Sequence, residues 1–127
     1  MYPKLKTYIT ELESSFDSIP TERKQQLKDV AEYIRSKNDT DDIPKLNFIC
    51  THNSRRSHLA QIWTQTAANY YEIEDIETYS GGTEATAFNP RAVVAVERAG
   101  FKVNNPGGEN PRYEVSYSER SEPMICF

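Results

Sequence analysis

Residues 46–57 read LNFICTHNSRRS, an apolar run of strand length that ends on a cysteine and is followed by five residues, an arginine and a serine. A helical pattern continues from Ser57 to about Tyr70. A strand that delivers Cys50 to a tight loop ahead of a helix gathers successive backbone N–H groups and a helix N-terminus around one point, a cradle for a tetrahedral oxyanion. Cys50 is therefore expected to be a nucleophile. A neighbouring guanidinium and a helix N-terminus lower a thiol's pKa and make the thiolate available. Arg56 is spaced to return over the loop and offer its planar fork to two oxygens of a bound anion. The Ser57 hydroxyl can donate to the thiolate, and Asn53 tolerates a left-handed backbone and can tie the loop together. The competing reading makes Cys50 a small buried hydrophobe.

Outward from this loop, Ile76 to Tyr79 reads as a second strand and SGGTEATAFN as a turn-rich connection. Pro90 opens a helix with Ala92, Val93, Val96 and Ala99 on one face, and Gly100 ends it. Alternating strands and helices imply an α/β fold, a parallel sheet with helices on both faces in three layers. Beyond Gly100 come NNPGGENP and two short strand readings, Tyr113 to Tyr117 and Pro123 to Phe127. Toward the N-terminus, Leu5, Tyr8, Ile9, Leu12 and Phe16 form one helical stripe, and Leu27, Val30, Ala31 and Ile34 another. They are expected to make an antiparallel helical pair over residues 1–43, ahead of an α/β domain over 44–127.

Composition narrows the function. The 127 residues carry a net charge of −4, with 15 Lys and Arg against 19 Asp and Glu, so no basic field for nucleic acid is expected. His52, Arg55, Arg56 and His58 nevertheless crowd around the thiol, which favours a small anion over a polyanion. No stretch has the length and apolarity of a signal peptide or a membrane span, and a cytoplasmic location without membrane contact is expected. Cys50 and Cys126 are the two cysteines; they fit neither a disulfide framework nor zinc-ligand spacing. No metal or other cofactor is assigned.

Over Lys45 to Val103 the chain resembles the low-molecular-weight protein tyrosine phosphatases and the thioredoxin-coupled arsenate reductases that share their fold. The motifs that carry the resemblance are NFICTHNSRRSHLAQIW and YSGGTEATAFNPRAVVAVERAGFKV, the second nearer the reductase branch. The resemblance implies that Cys50 is the nucleophile, Arg56 the oxyanion clamp and Ser57 the thiolate partner. It also makes Asn53 and Ser80 a loop-bracing pair and assigns the anion site to the backbone of Thr51, His52, Asn53, Ser54, Arg55 and Arg56. Departures from the family pattern are His52 for a glycine, Arg55 for a frequent second cysteine and Gln61 for a frequent glutamate. Gln61 weakens any analogy to a cation site. The family's downstream aspartate, a general acid worth about 10² to 10⁴ in rate, has no matching segment, and a C-terminal truncation is expected. An exposed sheet edge would then invite a swapped or paired homodimer.

In the reductase branch a second thiol attacks the arsenylated cysteine. Cys126 is the candidate resolving thiol, brought by a parallel strand to the same sheet end as Cys50; otherwise it is a core residue. The resulting expectation is a Cys50-dependent enzyme acting on phosphate, sulfate or arsenate through a thiol-linked intermediate. Arsenate reduction is preferred to tyrosine phosphatase hydrolysis, with thioredoxin or another thiol as reductant. The alternative is a non-catalytic anion-binding or interaction module, and sulfur transfer through a Cys50 persulfide is a third reading. Among the remaining residues, His52 and His58 are read as loop-surface groups, or else as groups that tune the thiolate or contact substrate. Trp63, Leu59 and Ile62 are read as helix core, and Tyr70 and Tyr71 as packing or surface aromatics. Asn89 is expected to cap the helix at Pro90, with Glu84 in turn chemistry or at the anion mouth.

Overall fold

In a computed structural model, described for residues 1–73, 75–84 and 86–126, the thiol loop joins a parallel strand pair to its crossover helix. The elements are α1 (Pro3–Glu13), α2 (Thr21–Asp39), β1 (Lys45–Cys50), α3 (Arg56–Tyr70), β2 (Glu77–Gly82), α4 (Pro90–Ala99), β3 (Lys102–Asn104), β4 (Tyr113–Ser116) and β5 (Met124–Cys126). A short 3₁₀ turn spans Phe16–Ser18 between the first two helices. The strand–loop–helix–strand unit expected from LNFICTHNSRRS is present. β1 and β2 run parallel in a register from Lys45 opposite Glu77 to Cys50 opposite Gly82, so the strand ends meet at the thiol.

The fold is α/β with four helices and a small parallel sheet, and the sheet differs from the expected one. Its parallel part has two strands, while β3, β4 and β5 form a separate antiparallel sheet, with Val103 opposite Val115 and Tyr113 opposite Cys126. The reason is connection length. A parallel crossover needs a dozen or more residues, whereas the chain between β3 and β4, and again between β4 and β5, is shorter than that. β5 is accordingly not the parallel strand expected to carry Cys126 to the Cys50 end of the sheet. The last strand reading also included Phe127, which lies outside the described residues, as do Glu74 and Ala85. On the face of β1–β2 opposite α3, Ile49 and Tyr79 stay 65% and 48% exposed.

Both N-terminal helices form, but they do not bury their stripes against each other. Leu5 and Ile9 of α1 join one buried cluster with Ile62, Phe88, Val96, Phe101 and Val115. α2 buries no residue, and Leu27, Val30 and Tyr33 are exposed. Close backbone approach explains why α1 docks where it does: a Cβ on Gly100 would stand 2.5 Å from the Leu5 backbone nitrogen. Gly100 also takes the left-handed conformation (φ 120°) that ends α4, the helix stop read from sequence. Asn89 caps the other end, its Oδ1 accepting from Arg91 N at 2.9 Å. Trp63 packs between Tyr8 and Phe101, half-buried against the core cluster. Tyr70 and Tyr71 donate to the two carboxylate oxygens of Glu13 at 2.9 and 2.8 Å, joining the ends of α3 and α1.

Candidate active site: the thiolate loop

Cys50 is the last residue of β1, and alternation along the strand turns its side chain to the same half-buried face as Leu46 and Phe48, the face that α3 covers. The chain then turns sharply. Asn53 adopts φ 46°, the left-handed region that asparagine tolerates better than most residues, and α3 starts at Arg56. The turn aims backbone donors at the sulfur. Desolvation pushes the Cys50 pKa up, but the Ser57 hydroxyl and backbone hydrogen bonds from Ser57, Ser54 and Asn53 outweigh it and bring the thiol down to about 6. Ser57 Oγ lies 3.1 Å from Cys50 Sγ and 2.7 Å from Asn53 Oδ1. Its single proton serves Asn53 while the thiol is protonated and turns to the sulfur when the thiolate forms. Replacing Ser57 by alanine is expected to raise the Cys50 pKa by about one unit. The pH profile of Cys50 alkylation measures this, and an unmoved midpoint would show that the hydroxyl does not stabilise the thiolate.

The loop is held from outside by the connection after β2. Thr51 O accepts from Thr83 N (2.9 Å), Glu84 N (2.9 Å) and Thr83 Oγ1 (3.1 Å), and Ser54 O accepts from Asn89 N (2.8 Å). Gly82 sits so close that a Cβ there would meet Asn53 N at 2.6 Å and His52 C at 3.0 Å. Thr83 and Gly82 were not singled out from the sequence. The doubled glycine after a strand was the available signal, because glycine inside or at the end of a strand often marks close backbone approach.

The expected site residues fall into three groups. Cys50, Asn53 and Ser57 are brought together by direct bonds, and Thr51 and Ser54 shape the loop through their carbonyls. His52, Arg55 and Arg56 are exposed at its mouth; His52 Nδ1 pairs with Glu84 Oε2 at 2.9 Å. Among the described residues neither arginine is in an ion pair, so no carboxylate neutralises either guanidinium. Away from the mouth, Ser80 Oγ is 3.1 Å from Nδ1 of His58. The loop-surface reading of His58 is corrected: the ring is fully buried, because it lies on the face of α3 that covers the sheet.

Cys126 is fully buried in the core cluster, where desolvation pushes its thiol up to about 12. Its Sγ is 3.8 Å from Gln61 Oε1, and Gln61 Nε2 donates to Thr78 O at 3.1 Å, so Gln61 is spent on core contacts. Both cysteines are free thiols. Among the described residues no cluster of three His, Cys, Asp or Glu side chains stands ready for a metal ion, and no helix is long and apolar enough to cross a membrane.

Comparison with known proteins yields no matching family model and no matching solved structure. Curated proteins do match. The chain is 36% identical over 64 residues to arsenate reductase 2 of Staphylococcus haemolyticus, which covers 50% of this chain and 46% of that protein. It is 40% identical over 58 residues to the arsenate reductase of Bacillus subtilis, covering 46% of this chain and 39% of the relative. An arsenate reductase of Staphylococcus aureus is likewise 40% identical over 58 residues, 41% of its length. The chain thus spans less than half the length of these curated relatives. Over about half of its own length it is similar to proteins named arsenate reductase.

Proposed function

We propose that this chain is a cysteine-dependent arsenate reductase in which Cys50 attacks arsenate held between the loop amides and Arg56. One observation carries the reading: a thiol brought down to about 6, ringed by three backbone donors and the Ser57 hydroxyl, beside two arginines without carboxylate partners among the described residues. The relatives' names supply the substrate. In the first step the thiolate forms an S–As bond and an arsenate oxygen leaves as water after taking up protons. In the second, a further thiol attacks the Cys50 sulfur. The S–As bond breaks, its electron pair stays on arsenic, and As(V) becomes As(III) as the two thiols become a disulfide. An external dithiol, thioredoxin or another, then reduces that disulfide.

The second thiol is either Cys126 or a thiol of the reductant. Burial and a raised pKa make Cys126 a poor attacker in the folded chain, so its use requires β5 to open, whereas an external thiol needs only the exposed mouth. The three-layer phosphatase-like architecture belongs to this reading, with β1–β2 as the part of the sheet that presents the loop and residues 1–43 as an N-terminal extension docked on the α/β domain through α1. Self-association does too, supported by the exposed stripe of α2 and by Ile49 and Tyr79. Location in the cytoplasm agrees with a chemistry that needs reduced thiols.

The test is arsenite formation from arsenate with a small dithiol as reductant. Turnover is expected in the intact chain and is expected to vanish in Cys50→Ser. Arg56→Lys keeps the charge and loses the fork, and should cost about 10² to 10³ in kcat/KM. Phosphate binding without any arsenite formation would support the anion-binding module instead, and release of phosphate from an aryl phosphate would support the phosphatase reading. Equal rates in Cys50→Ser would discard Cys50 chemistry.

A further inference from the structure

The geometry points to His58 as a positioning residue for the thiolate loop: its imidazole, buried between the Phe88 ring and Ser80, braces the two segments that hold the loop whose amides face Cys50. The inference rests on the thiolate reading of the loop and adds a residue outside the loop to it.

Two contacts converge on this ring. His58 stacks on Phe88 with centroids 4.3 Å apart and planes 22° apart, so the connection that leads into α4 fixes the plane of the imidazole. Nδ1 lies 3.1 Å from Ser80 Oγ, which anchors the ring to β2. Phe88 in turn adjoins Asn89, whose N–H donates to Ser54 O at 2.8 Å, so the ring's packing partner is fastened to the loop backbone. His58 therefore ties β2 to the β2–α4 connection that holds the loop, and it does so next to Ser57, whose hydroxyl touches the thiol.

Nε2 is buried and has no hydrogen-bond partner among the described residues. An unpartnered buried polar atom costs free energy, and an aliphatic side chain of similar volume would avoid that cost. A purely packing role does not explain why a ring with one orphaned nitrogen fills this space. The Nδ1 side explains it, because that edge alone reaches the serine. Burial holds the ring neutral by bringing its pKa down to about 4, so it serves as a fixed hydrogen-bonding group and adds no charge to the anion site.

The test separates the two nitrogens. Asparagine places its amide where Nδ1 stands, whereas glutamine reaches toward the position of Nε2. The midpoint of the Cys50 alkylation profile is measured in His58→Leu, His58→Asn, His58→Gln and Ser80→Ala, with circular dichroism confirming that each variant is folded. His58→Leu and Ser80→Ala are expected to move the midpoint upward by about one pH unit, as the loop amides lose their aim. His58→Asn should return it most of the way, and His58→Gln should not. A folded His58→Leu that titrates like the parent overturns the proposal, as does rescue by glutamine in place of asparagine. Should His58→Leu fail to fold, Ser80→Ala decides, and an unmoved midpoint there overturns it. If the parent chain itself shows an ordinary thiol midpoint, the thiolate reading has failed and not merely the role of His58.

Discussion

Iodoacetamide is expected to modify the folded chain once, at Cys50, with a rate that rises to a midpoint near pH 6 and is flat above pH 7. The two thiols sit at opposite extremes. Cys50 is brought down to about 6 by the bonds around its sulfur, and Cys126 is pushed up to about 12 by burial. The nucleophile is the thiolate, so below the midpoint the rate falls about tenfold per pH unit, and Cys126 contributes nothing until the chain unfolds. The rate at neutral pH is a poor diagnostic. Relative to a free thiol of pKa about 8.5, Cys50 at pH 7 has roughly thirtyfold more thiolate, but its lower basicity removes most of that gain, leaving about a twofold advantage. At pH 5 the same comparison leaves an advantage of about twentyfold. Labelling stoichiometry by mass should be one in buffer and two in denaturant, and Cys50→Ser should take no label while folded. A midpoint at or above pH 8 would mean that the loop does not stabilise the thiolate.

How much of this was legible in the sequence follows from how local each feature is. The turn at Asn53, the helix start after it and the cap at Asn89 depend on neighbours a few residues away, and the residue types state them directly. Cys50, Ser57 and Asn53 were found for the same reason. The antiparallel sheet was missed because β3, β4 and β5 are three or four residues long, and strand type there depends on connection length more than on side-chain pattern. His58 was read as a surface group because apolar periodicity points to Leu59 and Ile62. At the start of α3, however, the buried face carries polar residues, Ser57, His58 and Gln61, which bond to the loop, β2 and the core instead of packing as hydrocarbons. Hydrophobic patterning cannot register a face of that kind.

Gly82 shows the same limit from the other side, since what it does depends wholly on its distance from a loop thirty residues earlier in the chain. Replacing it by alanine should be more damaging than any other single-methyl change at the end of β2. The added Cβ would stand 2.6 Å from Asn53 N, 2.8 Å from Asn53 Cβ and 3.0 Å from His52 C, and two of those atoms are backbone that cannot swing aside. Either the strand end or the loop must move. Thr83 and Glu84 tie the strand end to Thr51 O, so the displacement is passed to the loop itself. Overpacking of this kind costs about 1–3 kcal/mol, which denaturant unfolding would report. The functional loss should be larger than the stability loss, because Asn53 N is one of the amides that bonds the Cys50 sulfur. The alkylation midpoint should therefore climb toward that of an ordinary thiol. Gly81→Ala is the matched control. Its Cβ would come no closer than 3.7 Å to Asn47 Oδ1, an ordinary contact with a side chain on the exposed face. If Gly82→Ala unfolds and titrates as Gly81→Ala does, close packing of β2 against the loop is not what shapes the thiolate site.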